Sequence, residues 1–167
     1  MRAGRDWKLE TGNWKLAERA VSVKESVEAK CPSCGEESST TIWRSMNVTQ
    51  DPDDKELLLA GTANVFRCPK CQYESMLDID FLYHDMERKF CVQYYPYERL
   101  ADDGFLANFT TDGGPAIAVP EGMKVKPGME YLTHPHIVFE MGELVRYVAF
   151  RDRLHELEEE TGGGQRP

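Results

Sequence analysis

No stretch of this sequence approaches the roughly 20 consecutive apolar residues that a membrane-spanning helix requires. The opening residues, Met1-Arg2-Ala3-Gly4-Arg5-Asp6-Trp7, lack the apolar segment of a secretory signal, so the expected compartment is the reducing cytoplasm, with no membrane partner. In that setting Asn47-Val48-Thr49 and Asn108-Phe109-Thr110 are chance matches to the glycosylation pattern. An excess of positive charge is missing too: the net charge is −9, with seven basic and five acidic residues in positions 1 to 30 and thirteen against twenty-four in the rest. Duplex-binding domains present a basic face to the phosphates, so this balance disfavours nucleic acid as partner. No Ser, His and Asp pattern suggests a triad. Gly12, Gly61 and Gly113-Gly114 stand without the Lys or helix context of a phosphate-binding loop.

What is present fits one ordinary domain with extensions. The chain has 167 residues, 41% hydrophobic and 29% charged, which is enough to bury a moderate core without disulfides. Residues 1 to 20 read as an N-terminal extension, with Trp14, Leu16, Ala17 and Ala20 able to form a short apolar stripe on a helix. The domain then runs from 21 to 160. Alternating apolar residues predict strands over Val21 to Lys30, Thr40 to Val48, Thr62 to Arg67, Met76 to Leu82, Lys89 to Tyr95 and Pro135 to Phe139. A two-turn helix starts at Asp51-Pro52, where Asp51 caps, Pro52 suits the first helical position, and Asp53 and Asp54 complement the dipole; Gly61 ends it. Residues 97 to 126 include Asp112-Gly113-Gly114-Pro115, show no convincing period and read as a long excursion. Leu144, Val145, Val148, Arg151, Leu154 and Leu157 recur at helical spacing, and residues 161 to 167 are expected to be a disordered tail. The expected class is α+β: a β-rich, zinc-ribbon-like core with a short helix inserted between two cysteine motifs and a helix at the C-terminus.

Those motifs carry the chemistry. Cys31-Pro32-Ser33-Cys34-Gly35 and Cys68-Pro69-Lys70-Cys71-Gln72 each put two thiols on a tight turn, and two such turns complete a tetrahedron about one cation, with sulfur about 2.3 Å from it. Gly35 accepts the left-handed conformation that follows the second Cys; Gln72 lacks that freedom and is expected to be slightly strained. Reduced structural thiols are the plain alternative, and a thiol oxidoreductase pair is disfavoured because neither motif precedes a helix. Four thiolates select Zn²⁺ over Mg²⁺ or Ca²⁺, although a rubredoxin-like iron centre shares the geometry. Such a shell is full, so the metal is expected to be structural.

Other residues carry weaker signals. His84 beside Asp85 has the makings of an acid or base, yet a turn cap and a packed imidazole explain the pair as well. Together with Trp43 and Arg88 they make a candidate functional surface. His134 and His136 flank Pro135 in what reads as an exposed turn, His155 reads as solvated, and Cys91 as a packed thiol. Arg67, Lys70, Arg88 and Lys89, with Trp43, Phe90, Tyr94, Tyr95 and Tyr97 nearby, make a local basic and aromatic face for nucleic acid.

The order of features resembles the CpXC domain family: a knuckle, Ile42-Trp43-Arg44-Ser45-Met46-Asn47-Val48, Asp51-Pro52 with a short helix and Gly61, Phe66-Arg67-Cys68-Pro69-Lys70-Cys71, then Leu82-Tyr83-His84-Asp85-Met86-Glu87-Arg88-Lys89-Phe90. The resemblance implies a prokaryotic zinc-binding domain and brings no catalytic set. Gln72 departs from it, where the family repeats Gly. The leading expectation is therefore a structural-zinc domain that serves as a protein interaction or scaffold module. A nucleic-acid-binding ribbon and an enzyme built on His84 and Asp85 are the alternatives.

Overall fold

The computed structural model describes residues 22–116 and 127–162. The N-terminal extension 1 to 20, the second part of the excursion and residues 163–167 of the tail lie outside the described residues. Chain order is β1 (Val23–Lys30), β2 (Glu37–Asn47), α1 (Pro52–Leu59), β3 (Val65–Arg67), β4 (Glu74–Met76), β5 (Phe81–Asp85), β6 (Phe90–Tyr94), α2 (Asp103–Leu106), β7 (His136–Val138) and α3 (Met141–Glu160). Five strands form one mixed sheet in the order β1-β2-β5-β6-β7, while β3 and β4 make a separate two-stranded ribbon. Strands β2 and β5 run parallel, as do β6 and β7; the remaining pairs are antiparallel. The fold is α+β.

Every residue of β5 and β6 is buried, so these two strands are covered on both faces. On one face Phe81, Tyr83, Phe90, Val92 and Tyr94 join Met46 and Val48 of the β2 end, Leu58 of α1, and Leu144 and Val148 of α3 in the main core. On the other, Leu82 and Cys91 pack beneath Leu132, which belongs to a 3₁₀ turn over Glu130–Thr133. The cysteine motifs are not part of that main core. They belong to a satellite cluster in which Cys31 and Cys68 enclose Phe66, with Ala29 and Leu77 alongside.

The short helix forms where Pro52 places it, but Asp51 makes no side-chain cap bond. Asp54 does more than complement a dipole. It is buried, and it accepts hydrogen bonds from the Lys24 ammonium (3.0 Å) and the Trp43 indole (3.2 Å), which fastens α1 to the β1–β2 hairpin. The expected strand over Met76 to Leu82 is divided: its first residue ends β4 in the ribbon, and its last two open β5 in the large sheet. Residues 77 to 80 carry the chain from one to the other, with the Leu77 N–H bonded to the Asn64 carbonyl (2.8 Å) and Asp80 held by the Arg99 guanidinium (2.8 and 3.2 Å). The described part of the excursion is more ordered in pattern than its Pro and Gly content implies. It holds a 3₁₀ turn over Tyr97–Ala101, then α2, capped by the Asp102 carboxylate at the N–H groups of Gly104 and Phe105. Tyr95, Phe105 and Phe109 meet edge to face, with ring centres 4.8 to 5.9 Å apart.

The core fixes a pH response. Burial pushes the Tyr83 hydroxyl far above the usual phenol range, helped by the charge of Asp85, and burial likewise holds Tyr94 and Tyr131 up at about 12. Each phenol keeps its proton more tightly folded than unfolded. The stability this contributes is therefore complete below about pH 10 and drains away as pH rises through the folded values. In a spectroscopic titration of the seven tyrosines, we expect three to stay un-ionised at about pH 11 and to ionise together with alkaline unfolding. Smooth ionisation of all seven near the free-phenol value would contradict the packing described.

Candidate metal centre

Each cysteine motif is the turn of a hairpin. The chain leaves β1 at Lys30, turns through Cys31 to Glu36 and returns as β2; it leaves β3 at Arg67, turns through Cys68 to Tyr73 and returns as β4. The two turns repeat the same bonds. Cys31 N–H donates to the Glu36 carbonyl (2.8 Å) and Gly35 N–H to the Cys31 carbonyl (2.9 Å); Cys68 N–H donates to the Tyr73 carbonyl (2.8 Å) and Gln72 N–H to the Cys68 carbonyl (3.0 Å). Residue five of each motif has positive φ, +76° at Gly35 and +60° at Gln72. The strain expected at Gln72 is present, offset in part by its side-chain amide donating to the Pro69 carbonyl (3.3 Å). Replacing Gln72 by Gly should therefore stabilise the fold by about 0.5 to 1 kcal/mol, read as a higher denaturant midpoint with unchanged slope. A lower midpoint would show that the side-chain bond outweighs the strain.

The hairpin tips face each other with their cysteines crossed. Cys31 Sγ lies 3.6 Å from Cys71 Sγ, and Cys34 Sγ lies 3.6 Å from Cys68 Sγ. All four sulfurs fall within 4.8 Å of one another. A cation with sulfur at about 2.3 Å demands tetrahedron edges of about 3.8 Å, and these spacings suit it. No disulfide joins them. Cys31 and Cys68 are buried, whereas Cys34 and Cys71 sit at the surface, so the cluster has a sealed inner half and an outer half that a metal can reach.

The thiols are electrostatically coupled. At Cys34 the Glu36 backbone N–H pulls the thiol down, but burial and the three neighbouring cysteines outweigh it and the group rises to about 12. At Cys71 the Tyr73 N–H and the same neighbours prevail over burial and bring it down to about 7. A divalent cation held by Cys31, Cys34, Cys68 and Cys71 would favour the thiolate form of all four, with release of protons. Glu36 and Glu74 beside the turns are paired with Lys70 (3.2 Å) and Arg67 (2.6 Å).

The remaining candidates are placed elsewhere and apart. Consecutive residues of a strand point to opposite faces, so β5 separates His84 from Asp85. His84 lies in register with Cys91 and Asn47, fully buried, its Nε2 2.6 Å from the Tyr131 hydroxyl. Asp85 caps the β5–β6 turn by accepting from the Arg88 N–H (2.9 Å), while Thr49 Oγ1 receives the N–H groups of Met86 (2.9 Å) and Glu87 (3.2 Å). The Arg88 guanidinium pairs with Asp152 of α3, which Lys55 of α1 also binds (2.6 Å). Trp43 is half-buried and committed to Asp54. These four residues form no common surface.

The same holds for the basic and aromatic face. Arg67, Lys70 and Arg88 are each in an ion pair, and Phe90 and Tyr94 are inside the core; only Tyr97 of the aromatics is largely exposed, at 68%. Cys91 is buried, as a packed thiol should be, with its S–H directed to the Tyr131 carbonyl (3.4 Å). His134 is exposed, and His136 stacks on Tyr147 with ring centres 3.9 Å apart. His155 is not freely solvated: its side chain is 35% exposed, because it leans into a cleft beside α3.

One residue that sequence reasoning passed over supports the centre. Asn64, fully buried with φ +56°, offers its amide to the backbone of Trp43: Oδ1 accepts from the Trp43 N–H (2.7 Å) and Nδ2 donates to the Trp43 carbonyl (3.0 Å). It acts as a one-residue strand and holds the ribbon against the edge of β2. The signal available was an Asn just ahead of a strand, where a left-handed residue is common.

The family model of the CpXC protein matches residues 29–159, which takes in both hairpin turns, the ribbon and nearly all of α3. The chain belongs to the CpXC family. No curated protein and no solved structure is significantly similar to it. This CpXC chain thus has a four-cysteine cluster that can hold one metal ion at the junction of two hairpins, and among the described residues no helix is long and apolar enough to cross a membrane.

Proposed function

We propose that the cluster of this CpXC protein holds one structural Zn²⁺, in the manner of a zinc ribbon, and that the protein works in the cytoplasm as a protein interaction or scaffold module. The observation that carries this reading is the closed donor set: four sulfurs at tetrahedral spacing leave no position for water or substrate. Soft thiolates favour zinc or iron, and a role confined to joining two hairpins calls for no redox change. The division of His84 from Asp85 counts against catalysis, and the burial of Phe90 and Tyr94 together with the net charge of −9 supports contact with protein over nucleic-acid binding. The Trp7 to Ala20 segment, outside the described residues, is the proposed contact region.

Two experiments test the reading. Cobalt-substituted protein should show the visible bands of a tetrahedral thiolate site that do not shift when azide or imidazole is added; a shift would mean an open coordination position. Capture with the full chain should return protein partners that are lost on deletion of residues 1 to 20. Retention of nucleic acid that weakens steeply with salt would overturn the partner assignment.

A further inference from the structure

Helix α3 runs on well past its last core residue, although Asp152 ties the start of the extension to Lys55 and Arg88. Its buried residues, Met141, Leu144 and Val148, all lie in the first half; from Ala149 to Glu160 no residue is buried. The outer half nevertheless carries an apolar seam. Tyr147, Phe150, Leu154 and Leu157 follow one another at spacings of three, four and three residues, the repeat that brings two helices together. Phe150 is 55% exposed, and Tyr147, Leu154 and Leu157 are half-buried. Beside the seam runs a cleft of about 380 Å³ lined by Phe90, Tyr147, Phe150 and Leu154 with Arg151 and Glu158.

The charges flanking the seam decide its occupant. Arg151 and Arg153 flank its first half, and Glu158 and Glu160 its second. We propose that this face pairs with the same face of a second copy, antiparallel, about a two-fold axis midway between Leu154 and Leu157. That register sets Leu154 against Leu157 of the partner subunit. It also brings Arg151 to Glu158 of the partner subunit and Arg153 to Glu160 of the partner subunit, and the two-fold axis repeats each pairing. A parallel pair would keep one such contact, Arg153 with Glu158 of the partner subunit, and would set Arg146 against Arg151 of the partner subunit. Within the chain Arg153 meets Glu156 (2.9 Å) and Glu160 (3.5 Å) only as exposed pairs, which are worth little and are readily exchanged. The helix beyond Val148 is about 18 Å long, so the contact is at the small end of specific interfaces and the dimer is a micromolar one, its orientation set by charge. The surface lies away from the cysteine cluster, and the proposal does not depend on the metal.

Sedimentation equilibrium of the metal-loaded full chain tests it. We expect a monomer–dimer equilibrium in the micromolar range, weakened at least tenfold by Leu154→Glu with thermal unfolding and circular dichroism unchanged. A second variant guards against a misfolded first one. Leu154→Cys, close to the axis, should form a disulfide-linked dimer under mild oxidation, whereas Ala149→Cys on the opposite side of α3 should not. A chain that stays monomeric at 100 times the expected constant, or equal cross-linking at both sites, would overturn the proposal. So would a chain that dimerises only after removal of residues 1 to 20, because that segment would then be the occupant.

Discussion

Replacing Cys68 by Ala is expected to abolish metal binding and to melt the ribbon without unfolding the rest. The residue is fully buried, and its sulfur is one of the two that seal the inner half of the cluster. Structural zinc in small sites contributes binding free energy on the order of 10 to 16 kcal/mol, all of it available only to the folded arrangement of ligands. Beyond the Asn64–Trp43 bonds and Met76, which packs on the main core, the ribbon has little else to stand on: β3 and β4 contribute three residues each, and the satellite cluster adds only Ala29, Leu77, Phe66 and the two inner cysteines. The five-stranded sheet has its own core against α1 and α3. Hydrogen exchange should therefore show protection lost from the β1–β2 tip and from residues 64 to 77, while the amides of β5 and β6 keep theirs. Exchange that rises equally everywhere would show instead that the metal holds the whole domain.

The second large effect is expected at Asn64. Asn64→Ala removes the donor and the acceptor that satisfy Trp43, leaving a buried N–H and carbonyl each unmet at about 1 to 3 kcal/mol, and it places a Cβ residue without side-chain compensation at φ +56°. A loss of about 3 to 4 kcal/mol follows, large against the marginal stability of a domain this size. Asn64→Gly relieves the backbone but not the missing bonds, so it should recover only about 1 kcal/mol of the loss. Denaturant unfolding of the three proteins separates the two contributions. If Gly recovered everything, the amide would have no part in holding the ribbon.

These two positions mark where the sequence could and could not be read. The cysteine turns were legible because coordination chemistry needs a set of ligands at fixed local spacing, and the +60° φ of Gln72 follows from the same turn geometry that explains Gly35. Helix α1 was legible from Pro52, and β2 and β6 from alternation, because those signals are local. Asn64 was not, because its partner is 21 residues away and nothing around it marks it as more than a turn residue. Asp54 was misjudged for the same reason. A carboxylate in a first helical turn suits the dipole, and only the arrival of Lys24 and Trp43 from the hairpin makes it a buried clasp. The parallel pairing of β2 with β5 is equally non-local; it joins strands on either side of α1 and the ribbon.

His84 and Asp85 carry a related lesson. Adjacent residues look like a dyad in a sequence, but in a strand they are the pair least able to cooperate. The structure gives His84 to Tyr131 on one face and Asp85 to the turn on the other. Conversely, Leu154 and Leu157 share the helical spacing of Leu144 and Val148, yet only the latter two are buried. That leaves the domain with a four-cysteine hairpin tip at one place and an exposed apolar helix seam at another.

The most direct measurement is metal analysis of the purified chain combined with hydrogen exchange before and after a strong chelator. We expect one Zn²⁺ per chain, and its removal should expose the amides of the two cysteine turns and the ribbon while β5 and β6 remain protected. A chain that carries no metal and shows the same protection with and without chelator would contradict the account.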